Sequence, residues 1–137
     1  MEMTLDTIHA TRSTTNHRWA ARIITGIPVL FLAFDVAIKM IQPPAVAEAS
    51  AKLGLPIELS IPIGLVLLGC LALYLVPRTA PLGAVLLTGY LGGAVLAHVR
   101  VGDPMFSHIL FPVYVGAFLW TGLYLRDDRV RRLTAAR

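Results

Sequence analysis

The chain has 137 residues, with 12 Lys and Arg against 8 Asp and Glu and a formal net charge of +4. Hydrophobic residues make up 56% and charged residues 15%, against roughly 45–50% and about 25% in soluble domains, and the mean hydropathy is +0.71. This composition excludes a disordered chain, a soluble nucleic-acid binder and a conventional cytosolic enzyme, and the length fits one domain.

Residues 1–17 are polar and Thr-rich, carry no legible motif and read as a mobile N-terminal tail. Four apolar runs follow, about Trp19–Ile41, Pro56–Val76, Ala80–Val99 and Ser107–Leu125. Each is close to the roughly 20 residues that a helix needs to cross about 30 Å of hydrocarbon. Helices satisfy every backbone N–H and C=O within one segment, which lipid requires. A buried soluble bundle is the alternative, and the absence of polar faces argues against it. The expected fold is therefore all-α, an integral membrane four-helix bundle over residues 18–126, followed by a basic tail, 127–137.

Chain breakers agree with that division. Gln42-Pro43-Pro44 stops the first run, Val76-Pro77-Arg78-Thr79-Ala80-Pro81 makes a tight connection, and Gly102-Asp103-Pro104 turns the chain between the third and fourth. Pro62 either kinks the second span or marks its first turn with Ser60 as cap. A start at Ser60 leaves about 16 residues, roughly 24 Å, so the earlier start near Pro56 is preferred. Ala45-Val46-Ala47 resembles a signal-peptide cleavage site, but Asp35 and Lys39 interrupt the apolar stretch before it, and the first span is read as retained.

The basic residues give an orientation. Arg12, Arg18, Arg22, Arg78, Arg126, Arg129, Arg131, Arg132 and Arg137 fall on one side of the bundle, and Lys39, Lys52 and Arg100 on the other. The excess of positive charge belongs in the cytoplasm, which places both termini there. The pI near 9.7 is then a topology signal, with the Arg-rich tail against anionic lipid headgroups and no nucleic acid as partner.

Ionisable residues within or beside spans are costly and so are candidates for function. Asp35, Lys39, Glu58, His98, Arg100, Asp103 and His108 all fall in the half of the bundle that this topology turns outward. Asp35 and Lys39 are spaced i,i+4 with the acid first, the favourable orientation for an intrahelical pair; alternatively Asp35 faces the bundle centre as a proton acceptor or a partner for Arg100. If the seven form one site, Asp35 and Arg100 should lie within salt-bridge or one-water reach. Glu58 sits in a first helical turn, where the helix dipole favours a carboxylate. On the third span, Gly89, Gly93 and Ala97 form a small-residue face suited to close helix contact. Tyr90, Ala94 and His98 form an adjacent stripe, either hydrogen-bonded packing or the lining of a cavity. His98 and His108 straddle one turn, but their spacing is not diagnostic of haem or metal, and neither is expected. Cys70 is alone, which excludes an internal disulfide and a CxxC pair, and reads as a small buried hydrophobe. Nucleophile elbow, P-loop and dinucleotide fingerprint are all absent from the sequence.

The run Thr88–His108, with Thr88-Gly89-Tyr90-Leu91-Gly92-Gly93 and His98-Val99-Arg100-Val101-Gly102-Asp103-Pro104, resembles the DoxX-like family of small membrane proteins. So do Leu110–Gly116, Trp120–Asp127 and Asp35–Lys39, and the resemblance covers roughly 19–130. It implies a four-helix membrane bundle. The wider family takes its name from a membrane subunit associated with a thiosulfate:quinone oxidoreductase, and other members are linked to oxidative-stress complexes. No catalytic residue carries over, and the matching positions Asp35, Lys39, His98, Arg100, Asp103 and His108 are site candidates only. The lack of a cysteine pair separates this chain from quinone-linked disulfide-forming membrane enzymes.

Three functional readings follow. The first is a multi-pass protein of the cell membrane that binds a small lipophilic, quinone-type molecule through Asp35, Lys39, Glu58, Tyr90, His98, Arg100, Asp103 and His108, beside a membrane redox partner or a second copy of itself. In that reading Tyr90, His98 and Arg100 hydrogen-bond a ligand carbonyl, while Leu, Val and Phe walls take the apolar part. The second is a membrane enzyme doing acid–base chemistry, with Asp35 or Glu58 as base and His98 or His108 as acid. The third is an accessory subunit whose polar cluster only orients helices.

Overall fold

In the computed structural model the backbone is described for residues 2–136 and the side chains for residues 17–136. The chain forms α1 (Glu2–Ile41), α2 (Pro44–Lys52), a 3-10 turn (Ile57–Leu59), α3 (Ser60–Leu75), α4 (Ala80–Val101), a π turn (Met105–Ile109), α5 (Phe111–Arg126) and α6 (Asp128–Ala135). Four stretches are long and apolar enough to cross a membrane: His17–Ile41, Ile57–Leu75, Ala80–Val101 and Met105–Arg126. The tail expected over 1–17 lies, His17 apart, outside the residues whose side chains are described. The segment after the fourth span forms α6.

The second span shows how two local signals combine. The α-helical part starts at Ser60 and has 16 residues, about 24 Å at 1.5 Å each. The preceding 3-10 turn adds about 6 Å at roughly 2 Å per residue and brings the span to the needed length. Pro62 therefore falls in the first turn of α3, where its missing N–H costs no intrahelical bond, and it is not a kink. The start near Pro56 holds for the span as a whole.

The spans pack in a ring in the order α1, α3, α4, α5, with α5 closing against α1. Leu32, Leu67, Leu87, Leu119 and Leu123 are fully buried at its centre, with Tyr74 among them. The Tyr74 hydroxyl donates to the Leu119 carbonyl at 2.7 Å, which satisfies its polar atom inside the apolar core. Elsewhere each helix shows large apolar side chains outward, including Leu30, Phe34, Leu65, Val85, Leu96 and Phe118. Water would not tolerate such a surface, and hydrocarbon matches it.

Small residues set the helix crossings. A Cβ on Gly122 would come within 2.4 Å of Thr25 Oγ1, and one on Gly83 within 2.2 Å of the Tyr74 nitrogen. Gly122 therefore marks a close approach of α1 to α5, and Gly83 one of α3 to α4. Gly89 and Gly93 do not act this way. A Cβ at either meets nothing within 4 Å, so the close helix contact expected from Gly89, Gly93 and Ala97 is absent, and these residues border open space.

Between α1 and α3 the chain makes the short helix α2, flanked by two left-handed residues, Gln42 (φ 52°) and Gly54 (φ 66°). Pro44 supplies the fixed φ of a first helical position. Gln42 Nε2 donates to the Ile57 carbonyl at 3.2 Å, tying the two ends of this excursion together across the mouth of the bundle.

Candidate ligand cavity

The space beside Gly89 and Gly93 is part of a cavity of about 610 Å³ at the α2 end of the bundle. Its walls come from α1 (Phe31, Leu32, Ile38), the start of α3 (Ile63), α4 (Leu91, Ala94) and α5 (Phe111, Pro112, Val115). Phe31 and Phe111 meet edge to face, with ring centroids 5.1 Å apart, and close the wall between α1 and α5. One side of α2 forms the roof, through Ala45, Val46, Ala49, Ser50 and Leu53. Gly89, Gly93 and Ala97 make the room: where side chains are missing from α4, the cavity opens.

Four of the eight sequence candidates line this space: Asp35, Lys39, Tyr90 and His98. Asp35 and Lys39 form the intrahelical pair, Nζ to Oδ1 at 2.5 Å, with both side chains about four-fifths buried. The Tyr90 hydroxyl lies beside the Asp35 carboxylate, so the Tyr90, Ala94 and His98 stripe lines a cavity. At the same wall, Ser60 Oγ donates to the Lys39 carbonyl at 3.3 Å.

His98 is held from behind. Gly102 at φ 71° ends α4; its N–H reaches the Val99 carbonyl, and the Asp103 N–H reaches the His98 carbonyl. This Schellman closure needs a left-handed residue after the helix, which glycine adopts without strain, and it brings residue 103 back over residue 98. Asp103 Oδ2 then stands 2.6 Å from His98 Nδ1, and Oδ1 accepts from Lys52 Nζ at 2.7 Å. The Asp103 side chain is 5% exposed. The hydrogen bond from His98, then that from Lys52, holds its carboxyl down to about 2, against the usual value near 4.

The other candidates stand outside. Arg100 is exposed, and its guanidinium donates to the Leu53 carbonyl at the end of α2; the expected pairing with Asp35 is not formed, the Arg100 guanidinium being turned to that carbonyl and Asp35 paired with Lys39. Glu58 is exposed in the 3-10 turn. His108 is exposed in the π turn, shares a hydrogen bond between its Nδ1 and Ser107 Oγ at 2.8 Å, and packs edge to face on His98 with centroids 5.8 Å apart. Among the described residues, no group of three His, Cys, Asp or Glu side chains converges as a metal site would require. Cys70 is buried in the core.

Sequence reasoning missed the roof. The signals for α2 were present: Pro43-Pro44 ahead of an alanine-rich stretch with Gly54 just beyond. Lys52 was missed as well, since no spacing rule connects it to a residue fifty positions away.

Comparison with curated proteins and with solved structures finds no match. The sequence model of the DoxX-like family matches residues 23–122, a stretch that holds all four apolar helices of the bundle except their outermost turns, together with α2 and the whole cavity. The chain belongs to the DoxX-like family and is a multi-pass membrane protein.

Proposed function

We propose that this DoxX-like protein binds a small lipophilic molecule of quinone type in the cavity under α2, as a subunit of a redox-linked system of the cell membrane. One observation carries the reading: Asp35, Lys39, Tyr90 and His98, from two facing helices, converge on a space that is otherwise apolar. Its volume, about 610 Å³, falls in the range of small-molecule pockets, roughly 300–1,000 Å³, and a few polar groups in an apolar wall are what such a pocket uses to orient its occupant. The nine-to-three asymmetry of basic residues turns the α2 end outward, with both termini in the cytoplasm. Reporter fusions at the C-terminus and next to Lys52 should then report opposite sides, and a C-terminus outside the cytoplasm contradicts this orientation.

The intrahelical Asp35–Lys39 pair favours a second reading, in which the polar cluster only steadies the helices. Asp35→Asn separates the two. In a binding site the change spares folding, because Asn keeps the shape and much of the hydrogen bonding, and abolishes retention of the molecule that co-purifies. In a structural pair it lowers thermal stability by leaving Lys39 less satisfied and leaves retention proportional to folded protein. Solvent extraction of the purified protein beside a detergent melting curve reads both.

A further inference from the structure

We propose that Asp103 is a positioning residue that fixes His98 with its proton on Nδ1, so that Nε2 meets the cavity as a hydrogen-bond acceptor and selects an occupant carrying a hydroxyl group, a phenol or hydroquinone. This rests on the cavity reading above and narrows it to a ligand class opposite in hydrogen-bonding sense to a bare carbonyl.

Asp103 is engaged on both carboxylate oxygens. Its carboxylate accepts from Lys52 on one oxygen and stands 2.6 Å from His98 Nδ1 with the other. An ionised carboxylate only accepts, so the hydrogen between Oδ2 and Nδ1 belongs to the ring. Lys52 faces the other oxygen of Asp103, and the other charges at this end are the Asp35–Lys39 pair, Arg100 over the end of α2, and the exposed Glu48 and Glu58. In the imidazole form of the ring, one nitrogen carries the hydrogen and the other a lone pair. With Nδ1 engaged behind the wall, Nε2 is the polar atom that the ring of this cavity-lining residue has left to offer, and it carries a lone pair.

Lys39 Nζ is committed to Asp35, Tyr90 faces that same carboxylate, and Ser60 donates to the Lys39 carbonyl. Arg100, the strongest donor nearby, is spent on Leu53 outside the cavity. Ser50 in the roof can donate or accept, and His98 presents an acceptor. A hydroxyl meets that acceptor; a ligand with only carbonyl oxygens leaves it unpaired in an apolar wall, which is costly.

The test uses the full chain in nanodiscs, a decyl-substituted hydroquinone under reducing conditions, and the dimethyl ether of the same compound. The hydroquinone should bind about tenfold or more tightly than the ether, the scale of one buried hydrogen bond. Nitrogen-15 spectra of histidine-labelled protein, with the His98 signals identified by their loss in His98→Gln, should show the Nδ1–H tautomer. Asp103→Asn should shift His98 toward the Nε2–H tautomer and erase the preference while leaving ether binding unchanged. Equal binding of the two probes, or an Nε2–H tautomer in the unaltered protein, overturns the inference while the cavity reading stands. Binding of neither probe overturns both.

Discussion

Gly122 and Gly89 are the same residue type in neighbouring helices, and the fold uses them in opposite ways. At Gly122 the missing side chain lets α5 press on Thr25, whereas at Gly89 it leaves a void. Gly122→Ala should therefore separate α1 from α5 and destabilise the bundle by about 1–3 kcal/mol, the usual range for overpacking, visible as a lower melting temperature in detergent. Gly89→Ala should leave the melting temperature unchanged. Asp103 makes a prediction of the same kind for pH. Its folded-state carboxyl titrates near 2, below the unfolded value near 4, so the stabilisation it provides is complete above about pH 4 and is lost as pH falls through about 2. Melting temperatures taken across that window should fall for the unaltered protein and fall less for Asp103→Asn.

At the scale of elements, the structure depends on short pieces that hydropathy does not mark. α2 is held from the α4–α5 turn by Lys52 on Asp103 and by Arg100 on the Leu53 carbonyl. α6 is held in a comparable way at the opposite end. Asp127 caps it by accepting from the Arg129 N–H at 2.9 Å, and the Arg129 side chain reaches the Pro77 carbonyl at 2.5 Å and the Arg78 carbonyl at 3.3 Å in the α3–α4 turn. The Arg129 guanidinium beside it, above all, lowers the Asp127 carboxyl. Asp127→Ala should remove the cap, worth about 1 kcal/mol, and release Arg129 from its clamp. Faster proteolysis within α6, without change in the cavity, is the expected readout.

These elements also mark how far the sequence could be read. The four spans and the Gly102-Asp103-Pro104 turn were legible, because length, hydropathy and glycine–proline chemistry act locally. The i,i+4 pairing of Asp35 with Lys39 was legible for the same reason. The Asp35–Arg100 pairing is not formed, because the fold sets Arg100 against the Leu53 carbonyl at the end of α2, a contact that no local spacing shows. Close helix contact was expected at Gly89 and Gly93 and occurs at Gly83 and Gly122 instead. Small-residue spacing identifies a face that permits close approach, and only the neighbouring helix decides whether anything approaches.

For the whole molecule, the fold gives its two ends different work. The end with Arg126, Arg129 and the α3–α4 turn is closed by hydrogen bonds to backbone carbonyls, including Arg126 on Tyr74. The α2 end opens into the cavity under a roof of its own. A bundle built only for stability would fill about 610 Å³ with side chains, since interiors pack to the density of organic crystals. Native mass spectrometry of protein released from nanodiscs tests this most directly, comparing the unaltered chain with Gly93→Leu, which fills the cavity from α4. The account predicts a lipophilic mass retained by the unaltered protein and lost from an equally stable Gly93→Leu variant. The same retained mass on both proteins, or none on either, would contradict it.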